Sequence, residues 1–143
     1  MKMKKISVLL VLIATASMSY AQKLDQSKIP SAVKASFSKH YPGLIANWEK
    51  EDGKFEASFK LENNLMSAMF EPTGTFIDSE VGIKVTDLSP AILSYVKEHY
   101  KEKSIKEGAR ITKADDSVNF EAEVDGKDLI FDASGKFIKE TKD

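Results

Sequence analysis

"KHYPGLIANWEKEDGKFEASF" (Lys39–Phe59) and "EHYKEKSIKEGARITKADDSVNFEAEV" (Glu98–Val124) hold the only two histidines of the chain. Each histidine precedes a tyrosine and lies upstream of a Phe-Glu-Ala run. The two stretches are either halves of a split active site or two copies of one building block, and the flanking periodicity favours copies. From Ile29 to Tyr41, apolar residues recur at Ile29, Val33, Phe37 and Tyr41 with Ala32 alongside, which stacks them on one helical face. Pro30 suits a first-turn position, where a missing N–H costs nothing, and Pro42-Gly43 ends the helix. Leu88, Ile92, Val96 and Tyr100 repeat the spacing, with Ser89 placed to cap and Pro90 behind it. A shift of 59 positions superimposes Ala32 on Ala91, His40 on His99 and Tyr41 on Tyr100.

The strand patterns agree with the helices. Phe55-Glu56-Ala57-Ser58-Phe59 alternates apolar and polar residues, as does Val118 to Val124. Leu65 to Glu71 and Lys127 to Asp132 read as their partner strands. The joining hairpin reads as longer in the first copy (Glu62-Asn63-Asn64) and as a tight two-residue turn, Asp125-Gly126, in the second. "FEPTGTFI" then matches "FDASGKFI", pairing Phe70 with Phe131 and Gly74 with Gly135, both glycines at a place that calls for positive φ. Leu44 to Lys50 and Ser104 to Lys113 supply a first strand each, the second region longer by about six residues.

The expected fold is therefore α+β: two tandem repeats, each a helix plus a four-stranded antiparallel meander, joined into one eight-stranded sheet with both helices on one face. Repeat 1 covers about 28–80 and repeat 2 about 84–140. One such unit alone buries little and leaves sheet edges open. Phe55, Ala57, Phe59, Leu61 and Phe70 are expected to face the first helix, with Val118, Phe120, Ala122, Val124, Leu129 and Phe131 as counterparts.

Ile-Pro opening a helix, "HYPG", a following Trp48, the "FEASF" strand and the closing F-x-x-x-G-x-F-I resemble the PepSY-like, β-lactamase-inhibitor-like group of periplasmic proteins. The resemblance covers about Ile29 to Glu140 in two copies. The second copy departs from it: Lys101 stands where Pro42 stands in the first, and nothing replaces Trp48. The resemblance implies a β-lactamase-inhibitor-protein-like fold and a secreted, non-catalytic module that binds a protein or small ligand. The inhibitor that gives the group its name grips its enzyme with a concave sheet face; the matching contact residues are not evident here.

The chain opens with Lys2, Lys4 and Lys5, an apolar run from Ile6 to about Met18, and Ser19-Tyr20-Ala21 with small residues at −3 and −1. That is the pattern of a secretory signal peptide, residues 1–21, too short for a membrane span. A periplasmic or secreted protein of residues 22–143 follows, one domain with no membrane insertion after cleavage. Removing three lysines and no acids takes the formal charge from −1 to −4. With no Lys/Arg stripe, nucleic acid is excluded as a partner. With no cysteine, disulfides, thiol nucleophiles and thiolate metal sites are excluded too.

His40 and His99 occupy equivalent helix ends with no nucleophile or ligand set nearby, so neither catalysis nor metal binding is assigned to them. "EAEVDGKDLIFD" (Glu121–Asp132) has the spacing of an EF-hand loop, but Glu at its first position, Asp at its last and strand-like flanks reject that reading. No cofactor is expected and no enzyme activity. Trp48 reads as a core or edge anchor. The residues facing away from the helices are the candidate partner surface: Ser58, Lys60, Met69, Glu121, Glu123 and Ile130, with Glu56, Leu65, Ser67, Asn119, Asp128 and Asp132 around them. The expected partner is a periplasmic protein, engaged through this face and inhibited if it is an enzyme. The alternative is a small-ligand or ion sensor with a cavity between the helix layer and the sheet.

Overall fold

The two helices form where the four-residue spacing puts them. In the computed structural model, which describes residues 22–142, α1 spans Ser31–His40 and α2 spans Pro90–His99. Ser89 caps α2 by accepting from the Ile92 N–H at 3.4 Å, and Pro90 takes the first turn. In α1, Pro30 is itself the N-cap, one position earlier than expected, and offers no side-chain acceptor. Ile29 and Leu88 lie just outside the helices, each closing a 3-10 turn (Gln26–Lys28 and Val85–Asp87). Both are nonetheless 3% exposed, because the turn keeps them in line with the buried helix stripe. The signal-peptide segment, residues 1–21, lies outside the described residues.

Among the described residues nine strands follow one another across a single sheet, every neighbour antiparallel. They are β1 Gln22–Leu24, β2 Asn47–Glu51, β3 Lys54–Leu61, β4 Asn64–Phe70, β5 Phe76–Ile83, β6 Ile105–Lys113, β7 Val118–Val124, β8 Lys127–Asp132 and β9 Phe137–Lys142. The expected eight strands miss β1, whose three residues are too few to show an alternation. It edges the sheet by pairing Leu24 with Trp48. The two first strands are five and nine residues long, a difference of four rather than about six.

The β3–β4 hairpin corrects another expectation. Leu61 opposes Asn64 across a two-residue turn of Glu62 and Asn63, both at positive φ (49° and 68°). Asp125-Gly126 does the same between Val124 and Lys127 (55° and 71°), so both hairpins are tight. The right-handed strand twist favours this geometry, and Asn tolerates the left-handed region well enough to replace Gly.

Opposed residues in an antiparallel ladder share a face. Phe59 opposes Met66, Met66 opposes Val81, Val81 opposes Arg110, Arg110 opposes Phe120 and Phe120 opposes Phe131. Phe59 packs with Val33 and Phe37 of α1, and Phe131 with Ile92 and Val96 of α2, so both helices lie on one face. The first core is aromatic: Phe37, Trp48, Phe55, Phe59 and Phe70. The second is mainly aliphatic: Leu88, Ile92, Val96, Val124 and Leu129 around Phe131. Leu61, expected among the helix-facing residues, is 37% exposed because it lies at the strand end beside the hairpin. Val118 and Phe120 are only partly buried, Phe120 packing against the rim of the second core.

Gly74 and Gly135 tie each closing turn to the start of its helix. Both hold positive φ, 87° and 86°. A Cβ on Gly74 would stand 2.5 Å from the Ala32 carbonyl oxygen, and one on Gly135 would meet Ser89 Oγ at 2.8 Å and Ala91 Cβ at 2.9 Å. Glycine is required there twice over, by conformation and by space.

Candidate functional site: the open sheet face

The histidines are helix ends. His40 and His99 are the last residues of α1 and α2, and Tyr41 and Tyr100 are the C-caps. The Nδ1 atom of His40 bonds the Ser36 carbonyl at 2.8 Å, and that of His99 bonds the Tyr95 carbonyl at 2.9 Å. Each imidazole thus folds back on a carbonyl four residues earlier and braces the last turn of its helix. His40 stacks on Phe76 at 4.7 Å. In the second half Tyr95 is inserted, stacking on His99 at 4.0 Å and on Phe137 at 4.8 Å. Trp48, 3% exposed and edge-on to Phe37 at 5.4 Å, is a packing anchor.

The sheet face opposite the helices carries every partner-surface residue expected from the sequence. Met69 opposes Glu56, Ser67 opposes Ser58 and Leu65 opposes Lys60. Asn119 opposes Asp132, Glu121 opposes Ile130 and Glu123 opposes Asp128. Two files of side chains run across the strands. One is Glu49, Glu56, Met69, Asp78 and Lys113; the next is Ser58, Ser67, Glu80, Ile111, Asn119 and Asp132. Ala109 and Ile130, 5% and 8% exposed, lie in a third file with Glu121.

Asp78 and Glu80 are central to this face and escape a simple reading of the sequence. Plain alternation from Phe76, which packs in the first core, would turn both toward the helices. A bulge between Met69 and Phe70 adds Ile77 to the β5 side and reverses the parity, so Asp78 opposes Met69 and Glu80 opposes Ser67. The same irregularity recurs between Ile130 and Phe131 on β8 and β9. Its sequence signal is the apolar pair Phe76-Ile77, matched by Phe137-Ile138, where a strict alternation would place one apolar residue.

The face is electrostatically strained. Burial, with the neighbouring charges of Glu56, Asp78 and Asp128, pushes the Glu80 carboxyl up to about 7. Burial likewise raises Glu56, reinforced by Glu51, Glu49 and Asp78. Burial raises Asp78 too, although Lys113 and Lys54 oppose it. Among the described residues neither Glu56 nor Glu80 has an ion-pair partner. At the far end of the sheet Glu123 pairs with Lys106 at 3.5 Å.

Shallow clefts lie elsewhere, among them two larger than about 300 Å³. One of about 510 Å³ is lined by Lys103, Lys106, Glu123 and Asp125 and their neighbours, charges that already pair with one another. The other, about 330 Å³, runs beside the end of α2 between Leu93, Val96, Tyr100 and Ile105. Among the described residues no three His, Asp or Glu side chains converge as metal ligands. No helix there is long and apolar enough to cross a membrane.

No family model matches the sequence, and no curated protein matches it. Solved structures do. A BLIP-like protein from Bacteroides fragilis is 22% identical, with 79% of this chain and 86% of that one covered at a TM-score of 0.62. A DUF2874 family protein from Bacteroides uniformis matches at 15% identity and TM-score 0.67, covering 79% and 88% of the two chains. A candidate periplasmic protein from Bacteroides eggerthii matches at 11% identity and TM-score 0.66, with 79% and 88% covered. The chain therefore has the α+β fold of these proteins: one antiparallel sheet with two helices on a single face.

Proposed function

We propose that the chain is a periplasmic, non-enzymatic binding module of the PepSY-like kind, built as a tandem repeat, which engages a protein partner through the open sheet face. The observation that carries this reading is the sheet itself. Both helices are spent on one side, leaving on the other a surface of acids interleaved with Met69, Ile111 and Leu65. An uncovered face that mixes apolar and polar side chains suits a partner better than it suits bulk water. The likeness to a BLIP-like protein and to a candidate periplasmic one supports the same class and location. Inhibition of an enzyme partner is the form of engagement that the BLIP-like fold favours.

Reversal of Glu121 and Glu123 to Lys tests it. Both lie on the open face, and the Glu123–Lys106 ion pair that the change removes is solvent-exposed on the lysine side, where such a pair contributes little to folding. Partner capture should weaken while the melting temperature holds; unaltered capture would sink the reading. A ligand sensor would instead show concentration-dependent thermal stabilisation by a small molecule or ion.

A further inference from the structure

The open face retains a repulsion that the protein's own lysines do not relieve. Glu56 and Glu80 stand on adjacent files, Asp78 shares the file of Glu56 beyond Met69 and the strand of Glu80, and neither glutamate has a cation within ion-pair distance among the described residues. The nearest bases on this face, Lys54 and Lys113, attend Asp78 at the border of the group. Desolvated like charges work against folding, and the lysines present leave Glu56 and Glu80 unpaired. A surface that keeps such a penalty in the free protein is one whose counter-charge arrives from outside. The carboxylates are spread along a sheet and do not converge on one point, which suits several cationic side chains better than a single metal ion.

We propose that the partner of the open face is a protein that presents Lys or Arg side chains, which it seats over Glu56, Asp78 and Glu80 with Met69 and Ile111 as the apolar contacts beside them. This deepens the reading above and rests on it. Arginine fits best, since its planar fork can bridge two carboxylates on neighbouring strands. Docking of cations there holds the carboxylates ionised, so association near neutral pH releases protons.

Isothermal titration calorimetry with a hexa-arginine peptide, at low salt and pH 8, tests the proposal on the chain from residue 22 onward. Wild type should bind saturably at one peptide per chain. The E56Q/E80Q pair, which preserves side-chain shape, should weaken binding about tenfold or more, whereas E62Q/E98Q, on the β3–β4 hairpin and α2, should change it less than about twofold. Repeating the titration at pH 7, where Glu80 is about half protonated, in two buffers of different ionisation enthalpy should reveal proton release for wild type that E80Q lacks. Absence of binding, or equal weakening by both variant pairs, overturns the proposal. So does calcium chloride saturating the same carboxylates without any peptide binding. If a partner cross-links to the open face yet binds E56Q/E80Q as tightly as wild type, the docking face stands and its cationic preference falls.

Discussion

The two halves of the sheet share one order of elements and fill it differently. In the first, Phe37 is the hub, with Trp48 at 5.4 Å, Phe59 at 5.2 Å and Tyr41 at 5.4 Å around it. In the second, Val96 takes the place of Phe37 and the core becomes aliphatic, while the aromatic rings move outward to Tyr95, Phe137 and His99. What stays fixed is the machinery of shape: the helix-end histidine, the positive-φ glycine at the closing turn and the bulge that follows. The contrast teaches that packing chemistry can change as long as volume and backbone geometry are kept. The carboxylates at Glu56, Asp78 and Glu80 all lie on strands of the first half, so the candidate docking group belongs to one half although the face spans both.

The largest test of the comparison is the pair Phe70→Ala and Phe131→Ala. Each ring is fully buried, so each truncation should destabilise by about 3–5 kcal/mol in chemical denaturation. If the aromatic cluster matters beyond its buried area, Phe70→Ala should lie at the upper end, since its ring also meets Phe37, Trp48 and Phe76. Next comes the glycine pair. Gly135→Ala should cost about 1–3 kcal/mol for its left-handed backbone, with crowding of Ser89 and Ala91 added. Gly74→Ala should cost more, because its clash is with the backbone of Ala32, which has less room to move. Equal losses would erase that distinction.

Glu80 gives a smaller effect with a definite sign. Its folded carboxyl titrates near 7, above the ordinary 4.5, so the native state holds a proton that the unfolded chain has lost between those values. Stability from this group is therefore fully present below about pH 4.5 and falls as pH rises to about 7, then levels off. Glu80→Gln should flatten that slope and raise stability at pH 8 by on the order of 2 kcal/mol, read from denaturation across pH. The smallest effect concerns the ends of the helices. The Tyr100 hydroxyl donates to Glu140, which raises the phenol to about 12, whereas the Tyr41 ring lies against Phe59 at 4.4 Å. Tyr100→Phe should remove a phenol that titrates at about 12 from an ultraviolet titration and barely move the melting temperature.

Much of this architecture is legible in the residues. The spacing Val33, Phe37 against Ile92, Val96 gives the helices, and the alternation around Phe55 and Phe120 gives the strands and their faces. Three features are not legible, each for a physical reason. β1 is too short to carry a pattern and is defined only by its partner, Trp48. The Glu62-Asn63 turn hides because Asn can hold the conformation that usually advertises itself as Gly. Asp78 and Glu80 hide because a bulge reverses the parity between them and Phe76. The outer residues of the candidate site, Ser58, Lys60, Glu121 and Glu123, follow from alternation, while its most strained carboxylate lies behind that bulge.

The face itself can be tested in the cell. A photo-cross-linking amino acid placed at Ser58 or Ser67, which oppose each other on the open face, is compared with one at Ser38 or Ser94 on the helices. The expected result is one shared protein adduct from both sheet positions, absent from both helix positions and lost on adding Glu121→Lys and Glu123→Lys. Adducts from the helix positions alone, or adducts that survive those reversals, would contradict a docking role for the open face.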